Sequence, residues 1–173
     1  MGRTIFITGG ARSGKSRLAE ELALGCGAPL CYLATGSAGD GEMGERIARH
    51  RARRGDAWMT VEEPTDLAVA ISAQDGGVNA ILVDCVTFWL TNLLLQSGEP
   101  ARVLEEVTAL TRQIPLLRTP LILVSNEVGM GIVPENALAR TFRDLAGEAN
   151  EILARAADEV YVTISGLPLK LKG

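Results

Sequence analysis

The consecutive residues Gly9-Gly10-Ala11-Arg12-Ser13-Gly14-Lys15-Ser16 restrict the possible folds of this chain more than any other stretch. They fit G-x-x-x-x-G-K-S/T without a gap, the pattern of a phosphate-binding loop. Before them, Arg3-Thr4-Ile5-Phe6-Ile7-Thr8 reads as a buried strand, and after them Arg17 through Leu24 reads as a helix. Strand, loop and helix in that order are the context the pattern requires. Glycine lets the backbone curl so that N–H groups point at phosphate oxygens, and the helix N-terminus adds a favourable dipole. In such a loop Lys15 reaches the β- and γ-phosphates, and the Ser16 hydroxyl binds Mg²⁺. A plain glycine-rich turn is the alternative, and the position at the end of the first strand argues against it. The chain is expected to bind a nucleoside triphosphate.

The rest of the sequence fits the fold that such a loop demands. Apolar, β-branched runs at residues 3–8, 29–34, 58–62, 79–84, 120–125 and 159–165 alternate with helical patterns at 15–26, 42–54, 65–73, 86–97, 101–114 and 135–157. Unbroken apolar strands between helices predict a mostly parallel sheet covered on both faces. A last short strand at 167–171 follows the turn Ser165-Gly166 and would pair antiparallel at one edge. The expectation is a single α/β domain over residues 1–173, with no linker or repeat. A net charge of −4 gives no general electrostatic case for nucleic acid or for an anionic membrane. No apolar run approaches the roughly 20 residues of a membrane span. The N-terminus enters a strand directly, with no secretory signal, so a cytoplasmic location is expected. Cys26, Cys31 and Cys85 form no C-x-x-C pair, which argues against a metal site and for buried free thiols in a reducing compartment.

Two further features stand out. The run Ala80-Ile81-Leu82-Val83-Asp84 is apolar and ends in an acid. In phosphate-loop proteins such an aspartate holds Mg²⁺ from the end of a neighbouring strand; the competing role is that of a turn or cap residue. In an acidic chain, arginines also crowd the sole histidine, in Arg46-Ile47-Ala48-Arg49-His50-Arg51-Ala52-Arg53-Arg54. On a helix, Arg46, Arg53 and Arg54 fall on the side of His50. A solvated basic face and a docking surface for polyphosphate both fit. Neighbouring cations push His50 towards its neutral, nucleophilic form. Phe88-Trp89-Leu90 and Leu93-Leu94-Leu95 read as core or subunit interface rather than as a ligand platform.

Thr8 to Arg17, Glu42-Met43 with Arg46 to His50, and the run Val124-Ser125-Asn126-Glu127-Val128-Gly129-Met130-Gly131-Ile132-Val133-Pro134-Glu135-Asn136 with Arg140-Thr141-Phe142-Arg143-Asp144 together carry a resemblance. The chain resembles the bifunctional adenosylcobinamide kinase/adenosylcobinamide-phosphate guanylyltransferases of cobalamin biosynthesis. The resemblance runs in order from residue 4 to the C-terminal strand. It implies a RecA-like P-loop NTPase fold and a homotrimer. It implies two reactions: a nucleotide γ-phosphate, from GTP or ATP, passes to the hydroxyl of the aminopropanol arm of adenosylcobinamide, and GTP then donates GMP to the new phosphate, giving adenosylcobinamide-GDP and pyrophosphate. The family's second reaction runs through a guanylyl-histidine, and the matching position here is His50. Members carry two adjacent histidines where this chain has Arg49-His50, and His50 aligns with the second.

The resemblance also places nucleotide contacts at Gly9 to Ser16, at Thr35, Gly36 and Ser37, at Arg51, Arg53 and Arg54, and at Glu62 and Asp84, with Mg²⁺ on Ser16 and Asp84. For Glu62 the alternative is a solvent-facing acid. The kinase step would need a group to orient the incoming hydroxyl, and Glu127 is the candidate. Its other reading, equally open, is a structural acceptor that fixes the turn Gly129-Met130-Gly131. Lys15 and His50 complete the expected catalytic set. A monofunctional small-molecule kinase and a non-catalytic nucleotide switch are the alternatives to the two-step enzyme.

Overall fold

The computed structural model describes residues 2–36 and 55–173. Strand β1 (Thr4–Gly9) runs into the glycine-rich loop, which opens helix α1 (Lys15–Leu24). Strand β2 (Leu30–Ala34) follows. Beyond a 3-10 turn at Gly55–Ala57 come β3 (Trp58–Glu62), α2 (Leu67–Gln74), β4 (Ala80–Asp84), α3 (Val86–Ser97) and α4 (Pro100–Gln113). Then come β5 (Leu121–Val124), the long helix α5 (Ala137–Ala156) and the closing hairpin β6 (Glu159–Ile164) and β7 (Leu167–Lys172). The expected helix at 42–54 lies outside the described residues. Among the described residues no helix is long and apolar enough to cross a membrane.

The strands form one seven-stranded sheet in the order β3-β2-β4-β5-β1-β6-β7. Neighbours from β3 to β6 are parallel, and only β7 runs antiparallel, against β6. The central strands alternate their burial between two cores. Phe6, Cys31, Leu33, Ile81, Val83, Leu121 and Leu123 face one side, where α2, α3, α4 and α5 supply Ile71, Trp89, Val107 and Leu153. Ile5, Ile7, Leu30, Tyr32, Leu82, Ile122 and Val124 face the other, where α1 supplies Ala19 and Ala23. Side chains on successive strand residues point to opposite faces, so strands buried on both sides must be apolar at every position. This is why the inner strands read as unbroken apolar runs. Trp89, Leu90 and Leu94 are core, as expected, while Leu95 is 71% exposed.

Local chemistry sets the element ends. Pro100 occupies the first turn of α4, where its missing N–H costs nothing. The Asn136 side chain caps α5 by accepting the Ala139 N–H at 3.0 Å. Helix α1 stops two residues before its expected end. Cys26 N–H and Gly27 N–H turn back to the carbonyls of Ala23 and Leu24 at 2.9 and 3.0 Å. The turn leaves Cys26 exposed, which corrects the expectation of three buried thiols; Cys31 and Cys85 are buried and all three are free. Burial pushes the Cys31 thiol up to about 11, and burial together with the neighbouring Asp84 charge pushes Cys85 up to about 11.

Candidate active site

The phosphate loop has the backbone that its glycines allow. Gly9, Arg12 and Gly14 have φ of 149°, 54° and 99°. A Cβ on Gly9 would lie 2.5 Å from the Thr163 carbonyl oxygen and 2.8 Å from Ser13 Oγ. A Cβ on Gly14 would lie 3.2 Å from the Gly166 Cα. The loop therefore needs glycine at both places for conformation and for space. Lys15 is 7% exposed. Its Nζ donates to the Gly10 carbonyl at 2.6 Å, so the ammonium lies across the loop rather than in solvent.

Other expected residues gather at the same edge because parallel strands bring their C-terminal ends together. Thr35 and Gly36 leave β2, Glu62 ends β3, Asp84 ends β4 and Glu127 follows β5. Ile7 and Asp84 are both level with Val124 of β5. Asp84 thus stands two strands from β1, roughly 10 Å across the sheet at the usual strand spacing. The Thr35 hydroxyl is already engaged: it donates to the Cys85 carbonyl at 2.7 Å and accepts the Cys85 N–H at 3.0 Å. Glu127 Oε1 accepts the Gly129 N–H at 2.7 Å, the contact expected of a residue that fixes the glycine turn. Glu62 is exposed, whereas its neighbour Glu63 is turned inward to the Thr65 and Asp66 N–H groups at 2.9 and 2.8 Å. Those bonds, the Thr65 N–H first, hold the Glu63 carboxyl below its usual range. Ser37, His50, Arg51, Arg53 and Arg54 lie outside the described residues.

Several contacts that hold the site give no sign of themselves in the sequence. Ser13 Oγ meets Thr163 Oγ1 at 2.7 Å in a buried contact. Gly166 donates its N–H to the Ser13 carbonyl at 2.9 Å, and Arg17 reaches the Gly166 carbonyl at 3.1 Å. The hairpin turn between β6 and β7 is therefore the back wall of the phosphate loop. On the opposite flank, Asn92 of α3 donates through Nδ2 to the carbonyls of Thr35 at 2.8 Å and Pro64 at 3.0 Å. The Ser165-Gly166 turn is visible in the sequence, but nothing there says what it touches.

Residues 5–171 match the family described as Cobinamide kinase / cobinamide phosphate guanyltransferase. The chain is 50% identical over 168 residues to the bifunctional adenosylcobalamin biosynthesis protein CobP of Pseudomonas aeruginosa, across 97% of this chain and 96% of that protein. It is 43% identical over 180 residues to the bifunctional adenosylcobalamin biosynthesis protein CobU of Salmonella typhimurium, across 97% of this chain and 99% of that one. Among solved structures it is similar to the RadB recombinase, with a TM-score of 0.55 at 15% identity over 93% of this chain and 74% of that one. It is also similar to the P4 protein of bacteriophage phi6 in complex with ADP, with a TM-score of 0.53 at 15% identity over 96% of this chain and 54% of that one. Likenesses at that identity speak to fold alone, and the fold is that of RecA-like P-loop NTPases, with an antiparallel C-terminal edge.

Proposed function

The chain belongs to the cobinamide kinase / cobinamide phosphate guanyltransferase family, and we propose that its residues divide two reactions on one corrinoid as follows. In the first, the γ-phosphoryl group of a nucleoside triphosphate passes to the aminopropanol hydroxyl of adenosylcobinamide. The bond from γ-phosphorus to its bridging oxygen breaks, a new O–P bond forms and the hydroxyl proton leaves. Lys15 exchanges its Gly10 carbonyl for phosphate oxygens, and the loop N–H groups hold the charge of the departing diphosphate. Glu127 receives the hydroxyl proton on the carboxylate oxygen that Gly129 does not use, so its two roles are compatible.

In the second reaction the neutral His50 imidazole attacks the α-phosphorus of GTP. An N–P bond forms, pyrophosphate leaves into the loop, and a guanylyl-histidine remains. The corrinoid phosphate then attacks the same phosphorus, giving adenosylcobinamide-GDP and restoring His50. Arg51, Arg53 and Arg54 neutralise the nucleotide phosphates, and Ser37 and Glu62 contact the nucleoside. Thr35 serves by fixing the backbone at Gly36, since its hydroxyl is held by Cys85. Ser16 and Asp84 offer a hydroxyl and a carboxylate, a pair that fits a hard divalent cation taking its other ligands from phosphate and water. Mg²⁺ held there would neutralise charge on the phosphate oxygens. The working unit is a homotrimer.

The observation that carries this reading is the phosphate loop at the sheet edge, walled by the C-terminal hairpin, in a chain that matches the family from residue 5 to 171. Incubation with α-³²P-GTP and Mg²⁺, followed by denaturing electrophoresis, tests it. Label should stay on the protein, labile in acid and stable in base. The substitution His50→Ala should abolish the label and leave measurable kinase activity. A wild-type protein that takes up no label would rule out the guanylyl-histidine.

A further inference from the structure

Where β2 and β3 leave the sheet, the Glu63 N–H donates to the Ala34 carbonyl at 2.9 Å. Pro64 comes next, and it has no N–H to carry the ladder on. Just past that point the carbonyls of Thr35 and Pro64 are both taken by one side chain from α3. Asn92, half-buried, donates from Nδ2 to Thr35 at 2.8 Å and to Pro64 at 3.0 Å. A primary amide carries two hydrogens, so a single group ties the two strand exits together. The same helix reaches this place twice more. Trp89 Nε1 donates to the Thr65 carbonyl at 2.7 Å, and a Cβ on Gly36 would lie 3.9 Å from the Phe88 ring.

These exits carry Gly36, which follows Thr35, and Glu62, the last residue of β3. The phosphate loop is elsewhere. It follows β1, three strands from β2 in the sheet order, roughly 14 Å away at the usual strand spacing. Resting on the nucleotide site proposed above, we infer that Asn92 is a positioning residue for the nucleoside: it sets the spacing between Gly36 and Glu62, and so how strongly base and ribose are held, without acting on the phosphate contacts. Without Asn92 the Thr35 and Pro64 carbonyls lose this donor, and the two exits lose the bond that ties them. Two short hydrogen bonds from one planar group fix direction as well as distance, which apolar packing at that place would not do.

The test compares, by calorimetry in the presence of Mg²⁺, the affinities for a non-hydrolysable GTP analogue and for inorganic tripolyphosphate, which has the phosphates and no nucleoside. Asn92→Ala should weaken the GTP analogue about tenfold, the size expected when such hydrogen bonds are lost. Its tripolyphosphate affinity should stay as in the wild type, which also shows that the variant is folded. Asn92→Asp keeps the shape and lacks both amide hydrogens, so it serves where the alanine variant does not fold, and it should give at least the same loss. Unchanged affinity for the GTP analogue, or equal weakening of both ligands, overturns the inference and leaves the nucleotide site standing. A wild-type protein that binds tripolyphosphate as tightly as the GTP analogue removes Gly36 and Glu62 as nucleoside contacts, and the inference with them.

Discussion

Ser13 and Thr163 are 150 positions apart, yet their hydroxyls meet at 2.7 Å inside the protein. Ser13 is 7% exposed and Thr163 2%, so water cannot replace either partner. Thr163→Val keeps the shape and strands the serine hydroxyl. We expect a loss of about 1–3 kcal/mol in stability, the usual cost of a buried group left unpaired, read from urea denaturation, with weaker nucleotide binding alongside. Thr163→Ser should recover most of both. The loop is legible in the sequence because its parts are contiguous and each does something only that residue type can do. Thr163 is not legible, because a threonine in a strand is expected for propensity alone.

Helix α3 acts as a clasp at the scale of elements. Asn92 holds the ends of two segments, and Trp89 Nε1 donates to the Thr65 carbonyl at 2.7 Å from the same helix. The turn that leads into α2 is closed from within by Glu63, whose carboxylate takes the Thr65 and Asp66 N–H groups. Because folding lowers the Glu63 pKa, the stabilisation is present above the unfolded value and is lost as pH falls through the folded one. Glu63→Gln should therefore be less stable than the wild type at pH 7. The difference should close as pH drops below about 4.3, the unperturbed glutamate value, in thermal melts recorded across pH. The central strands are readable in advance because burial on both faces demands apolar residues throughout. Strand β3 at the sheet edge carries no such demand, and its Met59 is 44% exposed. Helix ends are the least readable: Cys26 and Gly27 stop α1 through backbone bonds to Ala23 and Leu24 that periodicity does not encode.

The whole molecule joins its two ends at one place. β1 pairs with β6 on one side and β5 on the other, and the turn after β6 closes on the loop after β1. A chain cut after Ile164 would lose the Gly166 bond to Ser13 and the antiparallel partner of β6. It should lose nucleotide binding, measured by calorimetry, even where circular dichroism shows that most helix remains. The pairing of sequence-distant strands is what the sequence conceals. Each strand is visible by itself, but the order that sets β5 between β1 and β4 comes from crossovers with no local mark. Because residues 9–16 are synthesised long before the threonine and glycine that brace them, the loop acquires those contacts only after the last hairpin has been translated and folded back against it.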